Sequence, residues 1–114
     1  MLPSLALVDT FEEYGATASI KWPNDVVVNG KKVAGTLVES AMRGEDVQYT
    51  VLGVDVSLDV VGRNAFAAAF LNRLEEWLEL WKVRGAEAVR SAWGRRSTLD
   101  SGEVRPLSDA VQVR

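Results

Sequence analysis

An Asn-Gly pair with apolar runs on both sides is the feature that most restricts how this chain can fold. The runs are residues 26–28 and 32–39, and residues 29–31, Asn-Gly-Lys, lie between them. Asn and Gly both tolerate a positive φ, which the tight turns of β-hairpins require. The segment is therefore predicted to form two antiparallel strands joined by a short turn.

Strands on either side are predicted to extend this hairpin into a sheet. Residues 18–23 indicate a strand that ends at the turn-forming sequence Pro-Asn-Asp, residues 23–25. Residues 51–60 alternate, with apolar side chains at the even positions and Gly, Asp or Ser at the odd positions from 53. This period of two predicts a strand with one buried and one open face. A turn at residues 43–46 is predicted to precede it.

Two other segments have helical spacing. Apolar residues recur at that spacing within residues 4–14, and Gly15 is a suitable C-terminal cap. A stripe of large apolar side chains begins after Asn64, a predicted N-cap, and is broken by Gly85, with a shorter helix predicted at residues 86–95. The stripe consists of Phe66, Phe70, Leu74, Trp77 and Trp81. Together these elements predict an α+β fold, a short antiparallel β-sheet covered on one face by helices.

Composition excludes several kinds of chemistry. The 114 residues carry a formal net charge of −3, which argues against a nucleic-acid partner because such partners require a basic face. The chain has neither cysteine nor histidine, so disulfides, Ser-His and Cys-His nucleophiles and the commonest metal ligand are excluded. No run approaches the ~20 apolar residues of a membrane span, and the first residues do not resemble a signal peptide. The expectation is a cytoplasmic protein without a membrane partner.

Alternation places two lysines on the open face of the predicted sheet. Lys21 is out of phase with its apolar neighbours, and Lys32 is predicted to share a face with the small residue Ala34, opposite Gly35. Small neighbours leave room for a flat ligand. The pattern alone leaves two interpretations open. The face is either a solvated surface with ordinary lysines, or an anion site with Asp25 available to hold a cation.

The amino-acid sequence of this segment resembles a known family signature. Residues 21–39, KWPNDVVVNGKKVAGTLVE, closely resemble the signature of biotin protein ligases, which attach biotin to carboxylase carrier domains. Both a Lys-Trp-Pro-Asn-Asp block and a Lys-x-Ala-Gly-x-Leu-x-Glu block are present, at about the family's separation. The resemblance spans residues 4–100 and implies that residues 1–100 are the later part of a biotin/lipoate ligase-like catalytic domain. Residues 101–114 are then a C-terminal tail or a remnant of the small β domain.

The resemblance implies a reaction and roles for individual residues. Enzymes of this family condense biotin and ATP, with Mg²⁺, to biotinyl-5′-adenylate and transfer the biotin to a lysine of a biotin carboxyl carrier domain. Lys32 matches the catalytic lysine that contacts the biotin carboxylate and the adenylate, where positive charge stabilises developing negative charge. Lys21 and Asp25 match the nucleotide side, and Asp25 is also the candidate Mg²⁺ ligand. The other positions implied to contact the ligand are Asn24, Ala34, Gly35, Gly53 and Ser57.

Two departures from the family pattern concern how complete the site is. The Gly- and Arg-rich biotin-binding loop of the family lies upstream of the signature, and it is expected to be missing before Lys21. The family's Gly-x-Gly-x-Asn strand is replaced by Gly-Val-Asp-Val-Ser at residues 53–57. Asp55 is expected to lie on the open face, where it would repel a phosphate or pair with a lysine.

Two functions remain open at this point. The chain is expected to be a biotin protein ligase that needs a missing N-terminal half or a homodimer partner. The alternative is a catalytically silent fragment that serves as a binding or assembly module. An uncovered sheet edge or apolar patch is expected in both cases, and either feature favours dimerisation.

Overall fold

The computed structural model describes residues 1–57 and 62–98, which contain two helices and one four-stranded sheet. The helices are α1 (Leu2–Glu13) and α2 (Arg63–Arg96). The strands are β1 (Ala18–Lys21), β2 (Asp25–Val28), β3 (Lys31–Arg43) and β4 (Asp46–Val56). They form an antiparallel meander in the order β1-β2-β3-β4. This architecture confirms the predicted α+β class and its short antiparallel sheet.

Both predicted hairpin turns are present. Asn29 and Gly30 have φ angles of 53° and 77°, and the strands pair from the residues directly beside them. Positive φ at both central positions is the type I′ geometry, whose twist matches that of the flanking strands. At the other hairpin, Arg43 pairs with Asp46 across the turn between β3 and β4.

The hairpin of β3 and β4 is longer than the alternation predicted. Strand β3 continues to Arg43 rather than ending at residue 39, and β4 begins at Asp46 rather than at residue 51. The added residues pair only with each other, because the pairing of β2 with β3 ends at Gly35. Polar and apolar residues are mixed in this part of the chain, so it has no clear period of two.

Helix α1 lies between the sheet and α2 and supplies most of the fully buried side chains. It packs against α2 and against β1, β2 and β3. Its residues 5–8, Leu-Ala-Leu-Val, are all 0% exposed. Four consecutive buried residues cover more than one face of a helix, and this fits a helix enclosed by two layers. The helices therefore cover one face of the sheet as predicted, with α1 as the inner layer.

Gly85 divides α2 into two helical segments. Its φ of 80° and ψ of −177° lie outside the helical region, in a combination that is essentially confined to glycine. This confirms the predicted break and the second helix after it. The predicted N-cap is wrong, because the Phe66 amide donates a hydrogen bond to the Gly62 carbonyl and the helix already begins at Arg63. Asn64 therefore lies inside the first turn.

The apolar stripe of α2 faces the core except at its end. Phe66, Phe70 and Trp77 are buried, and the Phe66 ring contacts that of Phe11 in α1 edge to face, with centroids 5.2 Å apart. Trp81 is about half exposed and lines an apolar groove between α2 and the hairpin of β3 and β4. Most of the stripe is thus core, and its last residue lies at the protein surface.

Asp9 connects α1 to both segments of α2. Its carboxylate accepts hydrogen bonds from Trp77 Nε1 at 2.8 Å and from Arg96 Nη2 at 3.3 Å. The Arg96 guanidinium also lies over the Trp77 ring, 5.2 Å from the ring centroid, within the range of a cation–π interaction. These contacts hold the two halves of α2 in place on either side of Gly85.

The last described residues return to the edge of the sheet. Ser97 forms a parallel bridge with Ile20 of β1. The predicted boundary at residue 100 and the tail at residues 101–114 lie outside the described residues and stay predictions. Neither α1 nor α2 is long and apolar enough to cross a membrane.

Candidate functional site

An open groove lies on the sheet face away from the helices. It has a volume of about 550 Å³ and is bounded by β2, β3, β4 and the turn between β1 and β2. Five of the predicted site residues line it, namely Asn24, Asp25, Lys32, Gly35 and Gly53. The remaining lining residues are Trp22, Pro23, Thr36, Leu37, Val54 and Asp55. Lys21, Ala34 and Ser57 do not line the groove.

The pairing register explains why the charged residues meet on this face. Side chains of directly opposed residues in antiparallel strands point to the same face of a sheet. Lys21 opposes Asp25, Asp25 opposes Gly35, and Gly35 opposes Asp55. These four residues form one row across all four strands on the groove side. The predicted positions of Lys21 and Asp55 on the open face are therefore confirmed.

A β-bulge changes the predicted neighbours of Lys32. The register between β2 and β3 shifts between residues 26 and 27, which leaves Val33 as an extra residue in β3. Lys32 and Gly35, three positions apart, consequently lie on the same face. The prediction that Lys32 shares a face with Ala34, opposite Gly35, is wrong because a period of two does not hold across a bulge.

Ala34 belongs to the core and Ser57 lies at the end of the sheet. The Ala34 side chain is 2% exposed and opposes the fully buried Val26, so its methyl group points away from the groove. This corrects the expectation that Ala34 lies on the open face of the sheet, whereas its contact with a ligand stays a prediction. Ser57 follows β4, is exposed, and donates its backbone N–H to the Val33 carbonyl at 2.8 Å.

Lys32 extends across Gly35 towards two carboxylates. Its ammonium is 3.6 Å from Asp25 Oδ1, and its side chain is 54% exposed. A Cβ atom placed on Gly35 would lie 3.2 Å from Lys32 Cε, 3.3 Å from Lys32 Nζ and 3.0 Å from Asp55 Oδ1. Glycine at this position therefore leaves the space that the ends of both side chains occupy. An exposed ion pair of this kind contributes little to stability, so these charges are available for binding.

The described residues do not form a metal site from protein ligands alone. No group of three or more acidic side chains in residues 1–57 and 62–98 could hold a metal ion. Mg²⁺ usually keeps several waters and takes one or two carboxylates together with substrate phosphates. A single carboxylate such as that of Asp25 satisfies this requirement, although Asp25 already contacts the Lys32 ammonium.

Trp22 is a groove residue that the alternation did not identify. By alternation with Lys21, its side chain was expected on the core face of the sheet. Strand β1 ends at Lys21, however, so Trp22 belongs to the turn, where its side chain is exposed and lines the groove. The signal that could have found it is its place directly before Pro23, since a residue before proline commonly ends a strand or begins a turn.

Sequence comparisons connect the groove with one family. The model of the Biotin/lipoate A/B protein ligase family matches residues 2–57, which include every groove residue. A biotin--[acetyl-CoA-carboxylase] ligase of Paracoccus denitrificans is 54% identical over 43 residues, covering 38% of this chain and 18% of that protein. The bifunctional ligase/repressor BirA of Escherichia coli is 25% identical over 125 residues, covering 90% of this chain and 38% of that protein.

Solved structures share the fold. The crystal structure of biotin protein ligase from Aquifex aeolicus matches with a TM-score of 0.72 at 20% identity, covering 85% of this chain and 51% of that one. A structure of the same enzyme in complex with biotin and ATP matches with a TM-score of 0.70 at 21% identity. The chain spans about half the length of these solved relatives and a smaller share of the two sequence relatives.

Proposed function

Because the chain belongs to the biotin/lipoate A/B protein ligase family, we propose that its groove is the floor of a biotin protein ligase site. The proposed reaction is ATP-dependent formation of biotinyl-5′-adenylate, followed by transfer of biotin to a lysine of a biotin carboxyl carrier domain. The observation that carries the proposal is the position of Lys32, whose exposed ammonium extends over the bare backbone of Gly35 into the groove. A cytoplasmic location, where ATP and carrier domains meet, belongs to the same proposal.

An ammonium in this position suits the charge changes of the reaction. Attack of the biotin carboxylate on the α-phosphorus of ATP forms a mixed anhydride and releases pyrophosphate, so negative charge shifts among the phosphate oxygens. Lys32 would stabilise that charge, and the same residue would polarise the anhydride carbonyl when a carrier lysine attacks. The reaction relies on positioning and electrostatics and needs no protein nucleophile, which accords with a chain that lacks cysteine and histidine.

Other groove residues take supporting roles in the proposal. Lys21 lies in the same row as Asp25 and gives the nucleotide side of the sheet a second ammonium. Asp25 would hold Mg²⁺ together with the phosphates, and Asn24 would donate or accept hydrogen bonds at the same turn. Gly53 leaves part of the floor without a side chain, and Gly35 leaves room over its backbone for the ends of the Lys32 and Asp55 side chains, from which both can reach a ligand. Ser57 offers a hydroxyl at the end of β4.

Titration of the chain with ligand tests the role of Lys32. The full chain is expected to bind biotin and a non-hydrolysable biotinyl-adenylate analogue, and Lys32→Ala is expected to weaken the analogue at least tenfold, about 1.4 kcal/mol. Isothermal titration calorimetry measures both affinities. The matched control is Lys31→Ala, because Lys31 is the adjacent exposed lysine and does not line the groove. Absence of heat and of any thermal shift at millimolar ligand would refute a working ligase site in this chain.

The outer part of the β3–β4 hairpin favours a second candidate function, that of an assembly module. From Leu37 onwards these strands pair only with each other and expose large apolar side chains on both faces. The exposed side chains are Leu37, Val38, Met42, Val47, Tyr49 and Val51. Strand β4 is also an edge strand, and residues 47–54 carry no charge. Edges without charges or proline pair readily with other strands.

A homodimer is the expected result of this exposure. Sedimentation velocity is expected to show a dimer whose fraction increases with protein concentration. Val51→Lys is expected to raise the dissociation constant of this dimer about tenfold, because a charge opposes edge pairing. Val83→Lys serves as the control, since Val83 is an exposed valine on α2 and far from the edge in sequence. A monomer at all concentrations would contradict the assembly function and leave the ligase proposal intact.

A further inference from the structure

A second carboxylate lies beside Lys32 on the floor of the groove. Asp55 Oδ1 and Lys32 Nζ are 3.0 Å and 3.3 Å from the same point, the position that a Cβ atom on Gly35 would take. Lys32 pairs directly with Asp25, whereas the Asp55 side chain makes no ion pair with any residue in the described ranges. Asp55 is thus an exposed carboxylate without an ion-pair partner in the part of the chain that the structure describes, and it lies close to the ammonium that the ligase proposal assigns to an anion.

The charges that line the groove do not favour a free anion. They are Asp25, Asp55 and Lys32, with a net charge of −1, whereas Lys21, which pairs with Asp25 in the sheet, lies outside this lining. Lys32 compensates Asp25, so the remaining negative charge belongs to Asp55. Clefts concentrate ions of the sign opposite to their lining, and this lining would lower the local concentration of polyanions.

We propose that Asp55 is a specificity-determining residue that competes with the anionic group of a ligand for Lys32. A ligand of low charge, such as an acyl-adenylate with one phosphate, tolerates this competition better than a polyanion such as pyrophosphate. Repulsion from Asp55 grows with the charge of the ligand, whereas the attraction of Lys32 is already shared with Asp25. Asp55 thereby biases the groove, once ATP has reacted, towards retention of the adenylate and release of pyrophosphate, and the same repulsion lowers the affinity for ATP.

This inference rests on the proposed function for the identity of the ligands, and its test separates the two. The affinities of biotinyl-adenylate analogue and of inorganic pyrophosphate are measured by calorimetry for the wild-type chain and for Asp55→Asn. The variant is expected to bind pyrophosphate at least tenfold more tightly and the analogue about threefold more tightly. The difference is expected to shrink as salt is added, because exposed charges are screened.

Asp46→Asn is the matched control, since Asp46 is an exposed aspartate at the opposite end of β4 and outside the groove. Asp46→Asn is expected to change neither affinity. Equal gains in affinity in Asp46→Asn and Asp55→Asn would show that the net charge of the chain, and not the position of Asp55, causes the effect, and would overturn the inference. Analogue binding that is the same in wild type and Asp55→Asn, with no gain for pyrophosphate, would overturn the inference alone. Absence of binding in every variant would overturn the proposed function with it. Asp55→Ser is a second variant that removes the charge, and it is expected to show the same gains in affinity as Asp55→Asn. Agreement between the two excludes an effect that is specific to the asparagine amide.

Discussion

A Gly35→Ala variant is expected to bind the biotinyl-adenylate analogue at least tenfold more weakly than the wild-type chain, while its fold is retained. The new Cβ atom would lie 3.0 Å from Asp55 Oδ1 and 3.2 Å from Lys32 Cε, closer than such contacts ordinarily are. Both atoms are near the ends of flexible side chains, so they can move away at little cost to stability. The Lys32 ammonium then leaves its place over the strand, and a tenfold loss corresponds to about 1.4 kcal/mol.

Calorimetry and thermal denaturation of the same preparation measure binding and stability separately. Gly62→Ala is the control, because Gly62 has a φ of −57° and an added Cβ atom would meet nothing within 4 Å. The control is expected to match the wild-type chain in both measurements. Wild-type affinity in Gly35→Ala would show that the ligand does not need Lys32 in this position. A large fall in melting temperature would instead assign the effect to the fold.

Leu5→Ala is expected to lower the free energy of unfolding by about 2–5 kcal/mol. Leu5 is 0% exposed in α1, which is enclosed between the sheet and α2. The substitution therefore leaves a cavity, because neighbouring side chains on both sides are held in place and cannot move in to fill it. Domains of ordinary size have unfolding free energies of only about 5–15 kcal/mol, so this single change removes a large share.

Urea denaturation followed by circular dichroism measures this loss. Leu71→Ala provides the comparison, because Leu71 is an exposed leucine on α2 and the substitution removes the same atoms without opening a cavity. Its cost is expected to stay within about 0.5 kcal/mol, as for most surface substitutions. Similar losses in the two variants would contradict the central position of α1.

Features that depend on local backbone preferences could be predicted from the sequence. The Asn-Gly turn and the break at Gly85 follow from φ angles that few residues other than glycine and asparagine adopt. Helix α1 and the two segments of α2 follow from apolar spacing. The same spacing does not predict that α1 is enclosed between the sheet and α2. The start of α2 was placed wrongly because Gly62, which has no capping side chain, precedes a good capping residue.

Features of the site that depend on register could not be predicted in the same way. The bulge at Val33 arises from the pairing of β2 with β3, and period-two alternation therefore placed Lys32 opposite Gly35 and beside Ala34. The candidate site residues were predicted from the family resemblance, and five of them line the groove in the structure. The catalytic and binding roles of these residues stay predictions.

Strand β3 has two parts with different support, and this affects how the protein can fluctuate. Near Gly35 it pairs with β2 on one side and β4 on the other, whereas from Leu37 to Arg43 it pairs with β4 alone. Backbone hydrogen bonds in the second part lie outside the core, and such regions open locally at a free energy well below that of global unfolding. The outer hairpin can therefore open and close while Lys32 stays paired with Val27 of β2, next to the part of the strand that is held on both sides.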